Sequence, residues 1–553
     1  MKNKLILIFV IFLAFFLRFY KLGEYPAPNA DEAALGYNAY SLLQTGKDEH
    51  GNSWPIHFES FGDYKPGLYV YLLLPLVKYF GLNEWTIRIP GALLGVLTVW
   101  LVYKLVNILF KRRSYSLFTF HYSLGEISAF MLAISPWHIH FSRGGWEVNV
   151  ATFFLVLGVY LFLAGLDKTI FLYLSSLVFS LSLYTYHAAR VVAPFLVLGL
   201  LIIYRDIIKK NIKKFIIAGI VGLVILLPLV KDLKKPEIMS RAAGVGLFAD
   251  VGPLNRTNEQ RGEHSNYSSF LAKVLHNKII NYGLTFLENY ADHFHGEFLF
   301  LSGDNIERNK VPETGQMYIF DLAFLIIGIT YFLKSKIKNQ KSKYVVILWL
   351  LVAPIPSALT FQSPHALRSQ NMVIPLVIIS SFGLAAVLDL LKNKLINKYF
   401  RALCYAILSV IIFWQFLRYE HMYWVHMAKE YPYSSQYGLK ELVGYIEEVK
   451  GRYQKIIVTD RYDQPYILFL FYLKYPPNKF QHEHFISPRD TYGFSTVTSF
   501  ANFEFKKIIW DEDRINYPGC LIVGTDQEIP DETNIVKEIY GSNGYKYFQI
   551  VAN

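Results

Sequence analysis

The sequence predicts a mainly α polytopic membrane protein of about eleven transmembrane helices, with a small α/β or α+β domain at its C-terminus on the outer face. Three observations predict it. The chain is 53% hydrophobic and 17% aromatic but only 18% charged, against about 25% charged in an average globular domain. Apolar runs of about 20 residues, the length that crosses a bilayer at 1.5 Å per residue, recur from residue 4 to residue 418 and then stop. Lysines and arginines gather in alternate connections between those runs.

Taken in order, the runs place helices near 4–20, 88–110, 118–135, 147–165, 169–186, 190–204, 214–230, 316–333, 344–361, 370–390 and 402–418. Met1-Lys2-Asn3-Lys4 followed by an apolar stretch has the look of a secretory leader. No small-residue cleavage site follows, and Arg18, Tyr20 and Lys21 read as an interfacial anchor, so the first helix is expected to stay uncleaved. Lys2, Lys4, Lys111-Arg112-Arg113, Lys168 and the basic clusters 205–214, 334–343 and 392–401 mark the cytoplasmic face. The N-terminus is therefore placed in the cytoplasm, in a multi-pass plasma-membrane protein. Loop 21–87, turns 135–146, 184–190 and 363–369, loop 231–315 and everything after residue 420 fall outside.

Residues 66–80 are apolar but short for a span, and Pro66 occupies a helix-start position. An interfacial helix beginning there keeps every later loop on its side. The division expected is a transmembrane domain over 1–420 and a soluble outer domain over 421–553. In the latter, Leu439, Leu442, Val443, Ile446 and Val449 repeat at helical spacing, and 455–458 and 520–523 read as strands.

Several classes are excluded. The net charge of +12 is scattered in short clusters between apolar runs, not concentrated on one face, so no nucleic acid is expected as a partner. Cys404 and Cys520 are the only cysteines, and Cys404 lies inside an apolar run, which leaves no disulfide framework and no cysteine metal site. No glycine-rich loop follows a strand to cradle a soluble nucleotide. His138-x-His140 and His293-x-His295 have ligand-like spacing, but such pairs arise commonly by chance. No cofactor is required, and a divalent metal is left open but unsupported.

The chemistry gathers on the outer side. Asp31-Glu32 stands just after the first helix, among Asn29, Ala33, Ala34 and Gly36, small neighbours that leave room for a substrate. A carboxylate partly desolvated at the bilayer edge has its pKa raised from about 4, which suits it to accept a proton from a hydroxyl. Asp63-Tyr64-Lys65-Pro66 follows, and a lysine opposite an acid pair supplies the point charge that a phosphate leaving group needs. Arg143 and Glu147 bracket the Gly144-Gly145 turn, His187 and Arg190 close a second turn, and His365 and Arg368 a third. Four cations at one membrane depth, set against two or three acids, describe an anionic ligand and a base.

The first outer loop with Asp31-Glu32, the Asp63-Tyr64-Lys65-Pro66 element and the Arg143…Glu147 and His365…Arg368 turns resemble the polytopic GT-C glycosyltransferases. The branch most similar holds the protein O-mannosyltransferases and the aminoarabinose transferases of lipid A. The resemblance covers roughly residues 1–420. It implies transfer of a sugar from a polyprenyl-phosphate donor to a hydroxyl of a protein, lipid or envelope-glycan acceptor on the outer face, with inversion. Asp31 inherits the part of base and Glu32 that of orienting base or acceptor. Lys65 and Arg143, with Arg190 and Arg368, would hold the carrier phosphate. Asp63, Tyr64, Glu147, His187 and His365 would contact sugar or acceptor. The sequence departs from the aminoarabinose branch at Tyr64, where that branch has glutamate, and at Gly67, where members often have a second proline. The rival reading is a transporter or flippase of lipid-linked sugars, which would place charges near the midplane of related halves. Here the charges cluster on one face and no repeat is present.

Overall fold

The computed structural model describes residues 2–110, 123–235, 238, 244–334, 340–394, 397–432, 434, 436–489 and 495–553. Lys111, Arg112 and Arg113, the first part of the 118–135 run, and the middle of the 334–343 and 392–401 clusters lie outside the described residues. Contacts divide the chain into two units: residues 1–18, 93–142 and 147–420, and residues 19–92, 143–146 and 421–553.

The first unit is helical. Among the described residues the apolar runs fall on helices, including Glu147–Gly165, Thr169–Ser182, Ala189–Ile203, Ile212–Asp232, Ile319–Lys334, Gln340–Val352, Val373–Lys394 and Lys398–His421. Among the described residues of the whole chain, six helical stretches are long and apolar enough to cross a membrane. Apolar helices of 10–17 residues add to them, Leu124–Ile134, Thr169–Ser182 and Ala189–Ile203 in this unit. The chain is a multi-pass membrane protein.

Close backbone approach fixes how the spans meet. On Ile319–Lys334 and Val373–Lys394, a methyl group added at Gly328 would lie 2.1 Å from the Ile379 carbonyl oxygen, and one at Gly383 1.9 Å from that of Phe324. Only glycine fits at either place, the small-residue solution that lets helices touch inside a bilayer. Phe110, Phe332 and Phe382 close the same packing edge to face, with ring centroids 5.1–6.3 Å apart.

Arg18 corrects one expectation. It is not an interfacial anchor but fully buried, donating to the Leu132 and Ala133 carbonyls at 3.3 and 3.1 Å and lying 2.7 Å from His138 Nδ1. The last carbonyls of Leu124–Ile134 lie beyond the reach of the helix's own N–H groups: that of Leu132 takes the Ser135 N–H, and the guanidinium bonds both it and that of Ala133. Tyr20 and Lys21 remain exposed.

The second unit combines loop 21–87 with the C-terminal residues. Its sheet has seven strands in the order β4-β5-β6-β3-β7-β9-β8. These are β3 Ile456–Thr459, β4 Phe485–Ile486, β5 Val497–Phe500, β6 Phe503–Lys506, β7 Leu521–Gly524, β8 Ile535–Tyr540 and β9 Lys546–Ala552. The central β3 runs parallel to β6 and β7 and every other pair is antiparallel. β3 and β7 are the two strands read from the sequence, and both are buried along their whole length, as a central parallel strand should be. Leu439–Val449 is the expected helix, its apolar stripe buried.

Loop 21–87 is itself ordered: helix Ala30–Thr45, a hairpin of β1 His57–Ser60 and β2 Asp63–Pro66, then helix Leu68–Phe80. Pro66 therefore does not start the helix, as the sequence suggested, but ends β2 opposite His57. Gly67 makes the turn, and a side chain there would strike Phe58 at 2.6 Å and the Ile56 carbonyl at 2.8 Å.

Gly383→Ala should destabilise the protein by about 1–3 kcal/mol through overpacking. Gly219, whose added methyl would meet nothing within 4 Å, should tolerate alanine with no loss. Thermal unfolding of the detergent-solubilised variants checks both.

Candidate active site

The site begins with a helix cap. Asn29 accepts the Glu32 backbone N–H at 3.0 Å, and the Glu32 carboxylate returns the bond to the Asn29 N–H at 3.3 Å. This reciprocal box fixes the first turn of Ala30–Thr45, where Asp31 and Glu32 lie. Successive helical residues point about 100° apart, and the two acids accordingly meet different surroundings.

Glu32 faces inward and is 2% exposed. Arg88, itself fully buried, clamps it in two-pronged fashion, Nε to Oε1 at 2.7 Å and Nη2 to Oε2 at 2.8 Å. The Gly145 N–H donates to the same Oε1 at 2.8 Å. Arg88 uses its third nitrogen on the Leu22 and Pro26 carbonyls, at 3.0 and 2.8 Å. Glu32 thus ties residues 22–32, the 143–146 turn and Arg88 together, and its two oxygens are occupied. Sequence reading missed Arg88, although an arginine flanked by Ile87 and Ile89 at the start of an apolar run was the signal that a buried anion awaited it.

Asp31 faces the other way, with 28% of its side chain exposed, and forms an ion pair with the Lys65 ammonium. Lys65 projects from β2, is 10% exposed, and lies 4.8 Å from the Phe61 ring centroid. Asp63 is buried and caps its own hairpin through the Tyr64 N–H at 2.9 Å, while Tyr64 stands opposite Glu59 in the ladder.

Behind this pair is a carboxyl that the sequence did not single out. Glu49 is completely buried, accepts the Ser60 hydroxyl at 2.6 Å, and donates its own N–H to Asn38 at 2.9 Å. Burial pushes its carboxyl up to about 8.

Arg143 is 1% exposed. Its guanidinium donates to the Tyr423 hydroxyl at 2.9 Å and to the Tyr20 and Tyr25 carbonyls at 2.8 and 3.3 Å, and stacks near Tyr423 and Trp424. It stitches residues 20–25 to residues 423–424.

The remaining predicted residues belong to the first unit. Glu147 opens its helix, where a carboxylate complements the macrodipole. Arg190 holds the Leu183 carbonyl at 3.1 Å and lies 3.2 Å from His187 Nδ1. Arg368 donates to Thr360 at 2.6 Å and Gln362 at 3.3 Å. His365 lies 3.5 Å from Asp304, whose carboxylate also accepts the Ala366 N–H and the Asn309 amide. His293 accepts the His365 N–H at 3.3 Å through Nε2, and burial lowers its imidazole to about 4, keeping that nitrogen unprotonated at neutral pH. Among the described residues, no three His, Cys, Asp or Glu side chains are placed to hold a metal ion together.

Arg88→Met would strand Glu32 as a buried anion, at a cost of about 3–5 kcal/mol. The Glu32→Gln/Arg88→Met double variant should lose less than the two single losses added. Thermal unfolding of the set measures this.

Residues 64–231 match the family model of dolichyl-phosphate-mannose-protein mannosyltransferases. A search of curated protein sequences finds no match. Among solved structures, ArnT from Cupriavidus metallidurans bound to undecaprenyl phosphate aligns over 98% of this chain and 97% of its own, at 11% identity and a TM-score of 0.55. Its apo form gives 10% identity and 0.53 over the same shares. The Archaeoglobus fulgidus oligosaccharyltransferase is 13% identical with a TM-score of 0.49 over 85% of this chain, which spans 63% of that protein's length. The matched segment carries Lys65, Arg88, Arg143 and Arg190, and the likeness to ArnT extends from end to end of the chain, which shows that the two share a fold.

Proposed function

We propose that this chain transfers a glycosyl group from a polyprenyl-phosphate donor to an acceptor hydroxyl on the outer face of the membrane, with inversion at the anomeric carbon. The observation that carries the reading is the partly exposed Asp31 carboxylate paired with Lys65 at the start of an outer-loop helix. The family match over the segment that contains Lys65 supports it, as does the undecaprenyl phosphate bound by the structurally similar ArnT.

In the reaction so read, Asp31 removes the acceptor proton as the acceptor oxygen bonds to the anomeric carbon. The bond from that carbon to the phosphate oxygen breaks, and its electron pair leaves with the phosphate. Lys65 stabilises the charge that develops there, a contribution of about 3–4 kcal/mol for one well-placed donor. The two parts are coupled. A phosphate that attracts Lys65 draws it off Asp31, so the base becomes available as the donor arrives.

Glu32 acts on Asp31 through the helix, by fixing its first turn. Arg143, Asp63 and Tyr64 keep the surrounding turns in place, and Arg143 adds positive potential. Glu147, His187, Arg190, His365 and Arg368 have neighbours of their own within the first unit, and the reaction as drawn does not call on them. The alternation of basic clusters supports a cytoplasmic N-terminus and an extracytoplasmic C-terminal segment.

Asp31→Asn should lower transfer by about 100-fold or more while undecaprenyl phosphate binding is kept or tightened. Mass spectrometry of outer-face glycoconjugates from cells carrying either protein, with binding measured on the purified chains, tests this. Wild-type levels of product would overturn the assignment. Lys65→Met should weaken binding and transfer together.

A further inference from the structure

Glu49 lies in the connection between Ala30–Thr45 and β1 and has no part in the reaction as drawn. It is 0% exposed, and among the described residues its Oε2 has no hydrogen-bond partner. Its surroundings lead directly to the reacting pair. Asn38, which holds its backbone N–H, stands seven residues after Asp31 and so on the same helix face. Asn38 also donates to Ser60 at 3.2 Å, and Ser60 donates to Glu49 Oε1. Ser60 and Lys65 are carried by the two strands of one hairpin, and the Lys65 charge acts on Glu49.

Other titratable groups surround Glu49: His50, His484, Tyr37, Tyr466, Asp48, Glu59 and Glu483. Burial and the neighbouring His484 hold His50 unprotonated, lowered to about 3, although its Nε2 is 3.8 Å from Glu49. Burial keeps the Tyr37 and Tyr466 hydroxyls protonated. Asp48 is raised by burial but caps the 48–52 turn, accepting the His50 and Asn52 N–H groups and the Asn52 amide. Glu59 and Glu483 act on Asp48 and Tyr37 at the margin. With its carboxyl raised to about 8 by burial, Glu49 changes charge between neutral and alkaline pH.

We propose that Glu49 is a positioning residue that sets the charge offered by Lys65: uncharged, it leaves the ammonium available to an anionic ligand, and ionised, it attracts that ammonium itself and opposes the ligand. The proposal rests on the reading that Lys65 meets the donor phosphate. The direction follows from the raised carboxyl, which keeps its proton below about 8 and loses it above. Affinity for a phosphate lipid should therefore be high at pH 7 and fall through pH 8. A phosphate monoester has finished its second ionisation by then, near pH 6, so the lipid's own charge does not change across this range.

The test is binding of undecaprenyl phosphate to the detergent-solubilised full chain between pH 7 and 9.5. Wild type should weaken by about fivefold to tenfold over that range. Glu49→Gln, isosteric with the protonated acid, should bind as wild type does at pH 7 and change less than about twofold with pH. Ser60→Ala, which removes a bond that favours the ionised form, should move the midpoint to higher pH. Unchanged pH dependence in Glu49→Gln, or a flat wild-type profile, would overturn the role of Glu49 alone. No wild-type binding at pH 7, or binding indifferent to Lys65→Met, would overturn the functional reading and this inference with it.

Discussion

A carboxylate and a guanidinium buried against each other fix the geometry on which the site depends. Glu32 and Arg88 are both removed from water, where either charge alone would be strongly unfavourable, and each satisfies the other through two short hydrogen bonds. Because Glu32 also completes the cap with Asn29 and receives the Gly145 N–H, one pair determines where the Ala30–Thr45 helix starts and what lies beside its first turn. Asp31 has little freedom once its neighbour in sequence is held this way. A base positioned by its backbone needs no reorganisation when substrate arrives.

The second ion pair differs in kind. Lys65 is buried while Asp31 is partly exposed, so the pair opens to solvent on its carboxylate side. That opening lets a phosphate compete for the lysine. Thus the chain places a closed pair next to an open one. The closed pair supplies position and the open one supplies reactivity, with Glu49 buried behind it as an adjustable charge.

Much of the fold was legible in the sequence, since hydropathy alone locates the helices of a membrane protein. The meeting of Asp31 with Lys65 was legible too, as opposite charges gathered in one loop. The physical contrast within the pair was not. The resemblance gives Asp31 the part of base and Glu32 that of orienting it, but only the helix start at Ala30 shows one turned outward and the other inward. Loop 21–87 gave no periodic signal for its first helix, because small and polar residues interrupt Ala30–Thr45 where an apolar stripe would mark it. Its grouping with residues 421–553 depends on contacts distant in sequence, such as the Tyr37 hydroxyl on the Tyr475 carbonyl, which no local pattern encodes. Arg18 misled for a related reason: an arginine at a helix end usually reaches water, and the acceptors that make its burial favourable, the Leu132 and Ala133 carbonyls and His138, are more than a hundred residues away in sequence.

The central claim is that donor phosphate and Asp31 compete for Lys65. A cryo-electron microscopy structure of the full chain with undecaprenyl phosphate bound tests it most directly. The account predicts the Lys65 ammonium about 3 Å from a phosphate oxygen, with the Asp31 carboxylate released and facing the same opening. A bound phosphate held elsewhere, with Lys65 still on Asp31, would contradict it.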